Sequence, residues 1–323
     1  MYKLAFSCGD PSGIGIEVIL KALKLFPKPW PFVPVLFGSK NLFDLAYVQE
    51  LLKELEVEDY DSDHCQKDRV YLVSVSESEI FQLGCSKAVY GQASLDFLTA
   101  ASKAVMAGDC QALVTAPINK ESWHLAGIPF SGHTDFLKDF CQVDHVTMAF
   151  YSARLSLVLA TIHCSLMSVA KCLSDPVLLE RTLTHAIEFC RGFCSSKPRI
   201  AVAGLNPHAG ESGLFGSEEI ELIHPFVDSC KDSAAIVSGP HSPDTVFLHT
   251  VQGQFDCVLA LYHDQGLIPL KLLAFDEAVN VTLGLPFLRC SPDHGTAFDI
   301  AGQDKANPSS MLAAIRYAIK ALG

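Results

Sequence analysis

The chain has 323 residues, of which 49% are hydrophobic and 19% are charged, and its 36 acidic and 24 basic side chains give a formal net charge of −12. This composition excludes an intrinsically disordered chain, and the acidity without any Lys/Arg run disfavours a nucleic-acid-binding protein. A prior of roughly 150 residues per domain predicts about two domains, or one large α/β unit.

Apolar runs of strand length alternate with longer segments of helical period, which is the pattern of a wound α/β sheet. An apolar stripe over residues 95–105 predicts a helix that ends at Gly108, and Ser217 before two glutamates predicts a helix N-cap. Residues 152–154 between two strands predict a hairpin, so we expect a mixed sheet. The predicted strands, in chain order, are 3–6, 33–37, 70–75, 112–115, 146–151, 155–162, 200–203, 235–237 and 257–262.

Nothing in the chain indicates a leader or a membrane span. Residues 1–7 carry one Lys and an apolar run that is too short for a signal peptide, and Ser, Thr and His residues interrupt the most apolar stretch at 155–169. The 12 cysteines are scattered without metal-ligand spacing, which favours reduced core thiols. We therefore expect a cytoplasmic protein with neither a membrane nor a nucleic-acid partner.

Three histidines share one placement, because each follows a predicted buried strand. His163 follows the strand at 155–162, His208 the strand at 200–203, and His263 the strand at 257–262. Strand ends of an open α/β sheet face the ligand crevice, so the three imidazoles are expected to converge. Three neutral imidazoles with an open fourth position suit a catalytic divalent metal. The alternative is that each histidine merely ends its strand.

Two glycine-rich segments are candidates for a phosphate or cofactor loop. Gly210, Gly213 and Gly216 lie in a turn that runs into a helix, which suits an anion site and a plain helix-entry loop equally well. Neither this turn nor residues 9–15 have the G-x-G-x-x-G spacing. A standard Rossmann cofactor site is therefore disfavoured.

Several motifs, in chain order, together resemble the 4-hydroxythreonine-4-phosphate dehydrogenase family. They are GDPSGIG (9–15), TAPINK (115–120), GHT (132–134), LNPHAGE (205–211), YHDQG (262–266) and NVTLGLP (280–286). The segment HGTAFDIAG (294–302), followed by Asn307, also resembles the cofactor loop of the isocitrate and isopropylmalate dehydrogenase superfamily. That superfamily binds NAD without the usual fingerprint, which fits the missing motif.

The resemblance implies an α/β fold of the isocitrate/isopropylmalate dehydrogenase type, with two interleaved α/β subdomains and a central cleft. We place the first subdomain at 1–125 plus 285–323, with the cofactor loop near its C-terminus. The second subdomain, 126–284, is expected to carry the metal and substrate site and the dimer contacts. Because the family builds its active site across a dimer interface, we expect a homodimer.

Site residues follow from the resemblance position by position. The implied metal ligands are His163, His208 and His263, and the implied substrate contacts are His133, Thr134, Lys271, Asn280 and Arg289. The implied cofactor contacts are His294, Gly295 and Asn307. Lys271, Asp264 and Asp244 are the catalytic candidates, although either aspartate could instead cap a turn. The expected cofactors are NAD or NADP and one divalent ion, namely Zn, Mg, Co or Mn.

The implied reaction is the metal-dependent, NAD(P)-linked oxidation of 4-hydroxythreonine 4-phosphate to a β-keto acid. This acid then decarboxylates to 3-amino-2-oxopropyl phosphate, in pyridoxal 5′-phosphate biosynthesis. Residues 272–279 depart from the family pattern through Asp276 and Glu277, so a dehydrogenase of threonate or erythronate phosphate is the close alternative. A metal-dependent hydrolase or lyase, and a non-catalytic interaction protein, are more distant alternatives.

Overall fold

The computed structural model describes residues 1–75, 81–194, 197–230 and 234–323. Contacts divide the chain into two compact units. Unit 1 comprises residues 1–146 and 285–323, and unit 2 comprises residues 147–284.

Strands and helices alternate along most of the chain, as the sequence predicts. The strands are β1 (Tyr2–Ser7), β2 (Phe32–Gly38), β3 (Glu56–Asp59), β4 (Arg69–Ser74), β5 (Ala112–Thr115), β6 (Thr147–Tyr151), β7 (Leu157–Leu159), β8 (Arg199–Ala203), β9 (Ile236–His241), β10 (Cys257–Ala260), β11 (Val279–Leu283) and β12 (Leu288–Pro292). The helices are α1 (Gly15–Leu25), α2 (Lys40–Phe43), α3 (Ala46–Leu52), α4 (Ala88–Met106), α5 (Lys120–Leu125), α6 (His133–Phe140), α7 (Val169–Leu173), α8 (Pro176–Arg191), α9 (His224–Ser229), α10 (Val246–Val251), α11 (His263–Ala274) and α12 (Ser309–Leu322).

Unit 1 contains a parallel sheet with the strand order β3-β4-β2-β1-β5-β12. The inner strands are apolar and buried, as strands covered on both faces must be. Trp123 of α5 and Phe136 and Leu137 of α6 pack in one cluster with residues of β1, β2 and α4. All these strands run in the same direction, so their carboxyl ends lie at one edge of the sheet.

Unit 2 contains a mixed sheet with the strand order β11-β6-β7-β10-β8-β9. Strands β7, β10, β8 and β9 are parallel, whereas β6 is antiparallel to both β7 and β11. The predicted hairpin is confirmed, and Ser152 closes it because its Oγ accepts a hydrogen bond from the Leu155 N–H at 2.9 Å. The mixed sheet expected from the sequence is therefore present.

Every predicted strand has a counterpart, but β7 and β10 are shorter than expected and β3, β11 and β12 were missed. Strand β3 reads EVED, a polar sequence that only its place at the sheet edge, beside β4, makes into a strand. Strand β12 contains Arg289 and ends in Pro292, residues that are uncommon in a buried strand. In β3 and β12, pairing with neighbours outweighs a weak local pattern. Strand β11 reads VNVTL, an alternating strand pattern that was overlooked.

The sequence places residues 126–146 in the second subdomain, but contacts place them in unit 1. The physical reason is α6, whose apolar face, Phe136 and Leu137, is buried in the cluster that also holds Trp123 and Leu113. A second boundary lies between residues 284 and 285. In the described part of the chain, no helix has the length and apolar character needed to span a membrane.

The contact between α4 and α5 requires a glycine. A Cβ atom on Gly91 would lie 2.1 Å from the backbone oxygen of Ser122, which has no flexible end that could move away. Gly91→Ala should therefore lower the free energy of unfolding by about 1–3 kcal/mol in urea denaturation. Gln92→Ala, at an exposed position of the same helix, is the matched control. Equal stability of the two variants would contradict this packing argument.

Candidate functional site

The structure places the three histidine-bearing segments at one edge of the unit 2 sheet. Strand β10 pairs in parallel with β7 on one side and with β8 on the other. His163, His208 and His263 come shortly after the last residues of β7, β8 and β10. Three neighbouring parallel strands thus direct the three segments out of the same edge.

Two of the three imidazoles lie close together. The ring centroids of His163 and His263 are 6.2 Å apart. The Nδ1 atom of His263 lies 2.7 Å from Oδ1 of Asp264, so a proton on Nδ1 leaves the Nε2 lone pair available to a metal. Among the described residues, no three or more His, Cys, Asp or Glu side chains are grouped closely enough to hold a metal ion.

His208 lies in a left-handed turn. Residues 208–212 all have φ between 42° and 79°, a conformation that costs non-glycine residues free energy. The buried carboxylate of Glu219 anchors this segment, because its Oε1 accepts hydrogen bonds from the backbone N–H groups of Leu205 and Asn206 at 2.8 and 2.7 Å. The Nδ2 of Asn206 also donates to Glu218 and Glu219.

The glycine-rich turn after His208 therefore closes on a carboxylate of the chain itself. A Cβ on Gly210 would lie 2.7 Å from Oε2 of Glu219. The helix predicted to follow Ser217 is present. Residue 218 is helical, and the carbonyl oxygen of Ser217 accepts the first helical hydrogen bond, from the Glu221 N–H at 2.9 Å, as an N-cap residue does.

Gln265 links two histidine segments and was missed as a site residue. Its Oε1 accepts from the Leu261 N–H, and its Nε2 donates to the carbonyl oxygen of Gly204, both at 2.7 Å. The side chain is buried. It therefore fixes the chain before His263 against the chain before His208. The signal was its place in the YHDQG motif, next to the candidate ligand.

The remaining unit 2 candidates are one residue in the turn before α10 and two on α11 and β11. Asp244 accepts a hydrogen bond from the Ser242 hydroxyl at 2.6 Å, which lowers the pKa of its carboxyl, and the nearby His208 lowers it further. Lys271 lies on α11 with its Nζ 5.6 Å from the ring centroid of Phe275. Asn280 lies on β11.

In unit 1, Arg289 and Thr115 form a buried polar pair. Arg289 lies on β12 beside β5, and its Nη2 donates to the hydroxyl of Thr115 at 2.7 Å. Burial lowers the pKa of Arg289 to about 10, so the guanidinium stays protonated at pH 7. Thr115 was missed as its partner, although it begins the TAPINK motif.

His133 and Thr134 are the first two residues of α6. Burial holds the pKa of His133 well below its usual value, and the positive charge of Arg289 lowers it further. The imidazole is therefore neutral at pH 7. Its Nε2 is buried, and no hydrogen-bond partner for it is found among the described residues.

The cofactor candidates lie between β12 and α12. The Nδ1 of His294 lies 3.0 Å from the carbonyl oxygen of Gly295, and its Nε2 is buried with no hydrogen-bond partner in the described ranges. Asn307 lies just before α12, and its Oδ1 accepts a hydrogen bond from the Ser309 N–H at 3.0 Å. An irregular segment with an unsatisfied buried imidazole nitrogen is suited to a polar ligand.

Most of the chain matches the sequence profile of a known protein family. The profile of the family described as pyridoxal phosphate biosynthetic protein PdxA matches residues 32–318. The chain belongs to this family. This membership confirms the resemblance seen in the sequence motifs.

Related proteins align with almost the whole length of this chain. A 4-hydroxythreonine-4-phosphate dehydrogenase of Synechococcus sp. (strain RCC307) is 43% identical over 99% of both chains. A D-threonate 4-phosphate dehydrogenase of Pectobacterium atrosepticum is 38% identical over 98% of both chains. A crystal structure of 4-hydroxythreonine-4-phosphate dehydrogenase from Klebsiella pneumoniae is 36% identical, with a TM-score of 0.87 over 100% of both chains. The predicted α/β fold class is thereby confirmed.

Asp10 of the GDPSGIG motif follows β1 and is buried. Its Oδ1 accepts from the Ser12 N–H at 2.9 Å, but burial raises the pKa of the carboxyl to about 6. The folded chain therefore binds this proton more tightly than the unfolded chain. The resulting stabilisation is present below about pH 4 and is lost as the pH rises through about 6.

Asp10→Asn should consequently stabilise the chain at pH 8, by up to about 3 kcal/mol, and have little effect at pH 4. The amide keeps an oxygen for the Ser12 N–H and carries no charge to desolvate. Denaturant unfolding at both pH values measures the difference. Asp63→Asn, at an exposed position, is the control. The same effect of Asp10→Asn at both pH values would contradict the assignment of a raised pKa.

Proposed function

We propose that this chain is a 4-hydroxythreonine-4-phosphate dehydrogenase that uses a nicotinamide cofactor and a divalent metal ion. The observation that carries the proposal is the buried Arg289 and the buried Nε2 of His133 in unit 1, in a chain that matches PdxA-family dehydrogenases over almost its whole length. The cytoplasmic location expected from the sequence stays a prediction.

The substrate phosphate is assigned to a local cationic group, because the chain as a whole is acidic. Arg289 offers a guanidinium whose planar donors match phosphate oxygens. His133 and Thr134 begin α6, where the helix dipole and the first backbone N–H groups favour an anion. A neutral His133 can donate a hydrogen bond to an oxygen of the substrate. Lys271 and Asn280 complete the proposed substrate contacts.

The proposed metal ligands are His163, His208 and His263. The donor set fits a divalent ion, because the Asp264 carboxylate holds Nδ1 of His263 and leaves Nε2 available. Three imidazoles favour zinc, whereas additional oxygen ligands from the substrate would admit magnesium, manganese or cobalt.

The proposed nicotinamide cofactor contacts are His294, Gly295 and Asn307. The unpartnered Nε2 of His294 in the described structure supports a polar ligand at this segment. We propose NAD as the cofactor, with NADP as the alternative, because the cofactor loop resembles that of a superfamily that binds NAD.

When bound, the metal lowers the pKa of the substrate hydroxyl and the nicotinamide accepts a hydride. The side chains of this protein orient the substrate and handle the proton that the hydroxyl loses. Asp264 lies next to a ligand and Asp244 lies near His208, so both are proposed for proton transfer or ligand orientation. Lys271 is proposed to pair with the carboxylate of the substrate. Oxidation beside that carboxylate gives a β-keto acid, which loses carbon dioxide to form 3-amino-2-oxopropyl phosphate.

The second candidate substrate is threonate 4-phosphate. Relatives named D-threonate 4-phosphate dehydrogenase are 38% identical to this chain, almost as similar as those named for the amino acid phosphate. Phe275, Asp276 and Glu277, which follow α11, are exposed. Two carboxylates at this position change the charge near Lys271, so this segment is where substrate choice should be sought.

The decisive assay follows NADH formation with 4-hydroxythreonine 4-phosphate, and with threonate and erythronate phosphates, each with and without a chelator. We expect chelator-sensitive turnover of the amino acid phosphate. His263→Ala should abolish it because a metal ligand is lost, whereas His224→Ala, at an exposed position of the same unit, should not. Turnover of only a sugar-acid phosphate would overturn the substrate, and phosphate release without NADH would favour a hydrolase.

We further propose a homodimer, because large apolar side chains are exposed on each histidine-bearing segment. Leu166 and Met167 follow His163 and are 68% and 92% exposed. Leu214, at 73%, follows His208, and Leu272, at 82%, follows His263. Large apolar side chains exposed on the segments that leave one sheet edge favour an association site there. A second copy that covers them would also enclose the candidate ligands.

Met167→Lys should weaken this dimer, because a buried lysine without a partner is costly to desolvate. Light scattering during size-exclusion chromatography should show a shift from dimer to monomer. Met106→Lys, in unit 1 and 51% exposed, is the matched control and should stay dimeric. A monomeric wild-type chain, or a Met167→Lys dimer as stable as the wild type, would contradict the proposed interface.

A further inference from the structure

An ion pair on α1, between the buried Glu17 and the partly exposed Lys21, holds the segment that is proposed to bind the cofactor. Glu17 is fully buried, and its Oε1 accepts from the backbone N–H of Ala306 and from Nζ of Lys21, both at 2.9 Å. Ala306 is 289 residues away along the chain, directly before Asn307. Helix α1, near the N-terminus, is thus hydrogen-bonded to a loop near the C-terminus.

Lys21 completes this contact. Its Nζ also donates to the carbonyl oxygen of Ala306 at 3.2 Å and contacts Oδ1 of Asp304 at 2.8 Å. All three ammonium protons therefore have acceptors, and both backbone polar groups of Ala306 are bound by one turn of α1. Burial lowers the pKa of Lys21, but its bonds to Asp304 and Glu17 raise it overall. The ammonium is charged at neutral pH.

The 294–307 segment needs such external contacts because it contains little regular structure. Ala297 and Asp304 have positive φ angles of 43° and 57°. At its other end, the Ile14 N–H donates to the carbonyl oxygen of Thr296 at 3.1 Å. A Cβ on Gly13 would lie only 2.9 Å from the Cβ of Thr296. The GDPSGIG motif and α1 therefore hold the segment at two points.

An apolar pair could pack α1 against the loop without burying charge, and a buried ion pair is a poor source of net stability. The ion pair does what an apolar pair cannot, since it binds the N–H and the C=O of one chosen residue. The ion pair therefore fixes the conformation of the loop next to Asn307.

We propose that Glu17 and Lys21 are positioning residues for the nicotinamide cofactor: by fixing Ala306 they hold the 294–307 segment in its cofactor-binding conformation. This inference rests on the proposed function, which assigns the segment to the cofactor. It predicts an effect on the cofactor and none on the phosphorylated substrate.

The test compares Glu17→Met, the double variant Glu17→Met/Lys21→Met and the wild type, all as full-length, metal-loaded protein. Methionine is close to glutamate in length but offers no oxygen to the Ala306 N–H, and the double variant removes both charges of the pair. Lys24→Met is the matched control, because Lys24 lies one turn along α1 and pairs with Glu54 at 3.3 Å instead of with the loop.

Three measurements are made. Amide hydrogen exchange without cofactor should be about tenfold faster at Ala306 in both test variants. The Kd for NADH, from its fluorescence, and the KM for NAD should rise about tenfold. The KM for the phosphorylated substrate and kcat should stay within about twofold. Lys24→Met should match the wild type in all three.

The outcomes separate the two proposals. Faster exchange at Ala306 with unchanged NADH binding would overturn the positioning role and leave the dehydrogenase standing. Unchanged exchange in both variants would overturn the role of the ion pair itself. A wild-type chain that binds no NADH would overturn the proposed function, and the exchange data would still report whether the ion pair holds the loop.

Discussion

Hydrogen bonding between β7, β10 and β8 is the constraint on which the candidate metal site depends. Because the three strands are parallel neighbours, the segments that follow them leave one edge of the unit 2 sheet. This strand pairing brings His163, His208 and His263, which are far apart in sequence, to that edge. The exposed apolar side chains on the same segments suit an edge that a second copy covers.

Irregular segments after β8, β10 and β12 are held by buried polar side chains. Glu219 binds the backbone before His208, Gln265 joins the segments before His208 and His263, and Glu17 binds Ala306 beside Asn307. In each case a side chain satisfies backbone groups that have no strand or helix partner. The same device thus serves the proposed metal and cofactor segments, one in each unit.

Unit 1 carries the proposed site for an anionic substrate in a chain that is acidic as a whole. Burial lowers the pKa of His133 and keeps the ring neutral, so the positive charge at this site is that of Arg289. Arg289 is positioned by the Thr115 hydroxyl on the adjacent strand. The local arrangement, and not the net charge of −12, decides which ligand this unit attracts.

The sequence by itself determined the α/β class, most strands, the hairpin at 152–154 and the family, because apolar periodicity and contiguous motifs are local properties. It also identified the three histidines as candidate metal ligands, since each follows a strand with a clear apolar pattern. It missed β3 and β12, whose weak patterns become strands only through their neighbours, and it overlooked the alternating pattern of β11, VNVTL. Only the tertiary structure showed that Thr115 positions Arg289 and that Glu17 binds Ala306. These pairs join residues far apart in the chain, and no local pattern encodes a hydrogen bond to a distant backbone group.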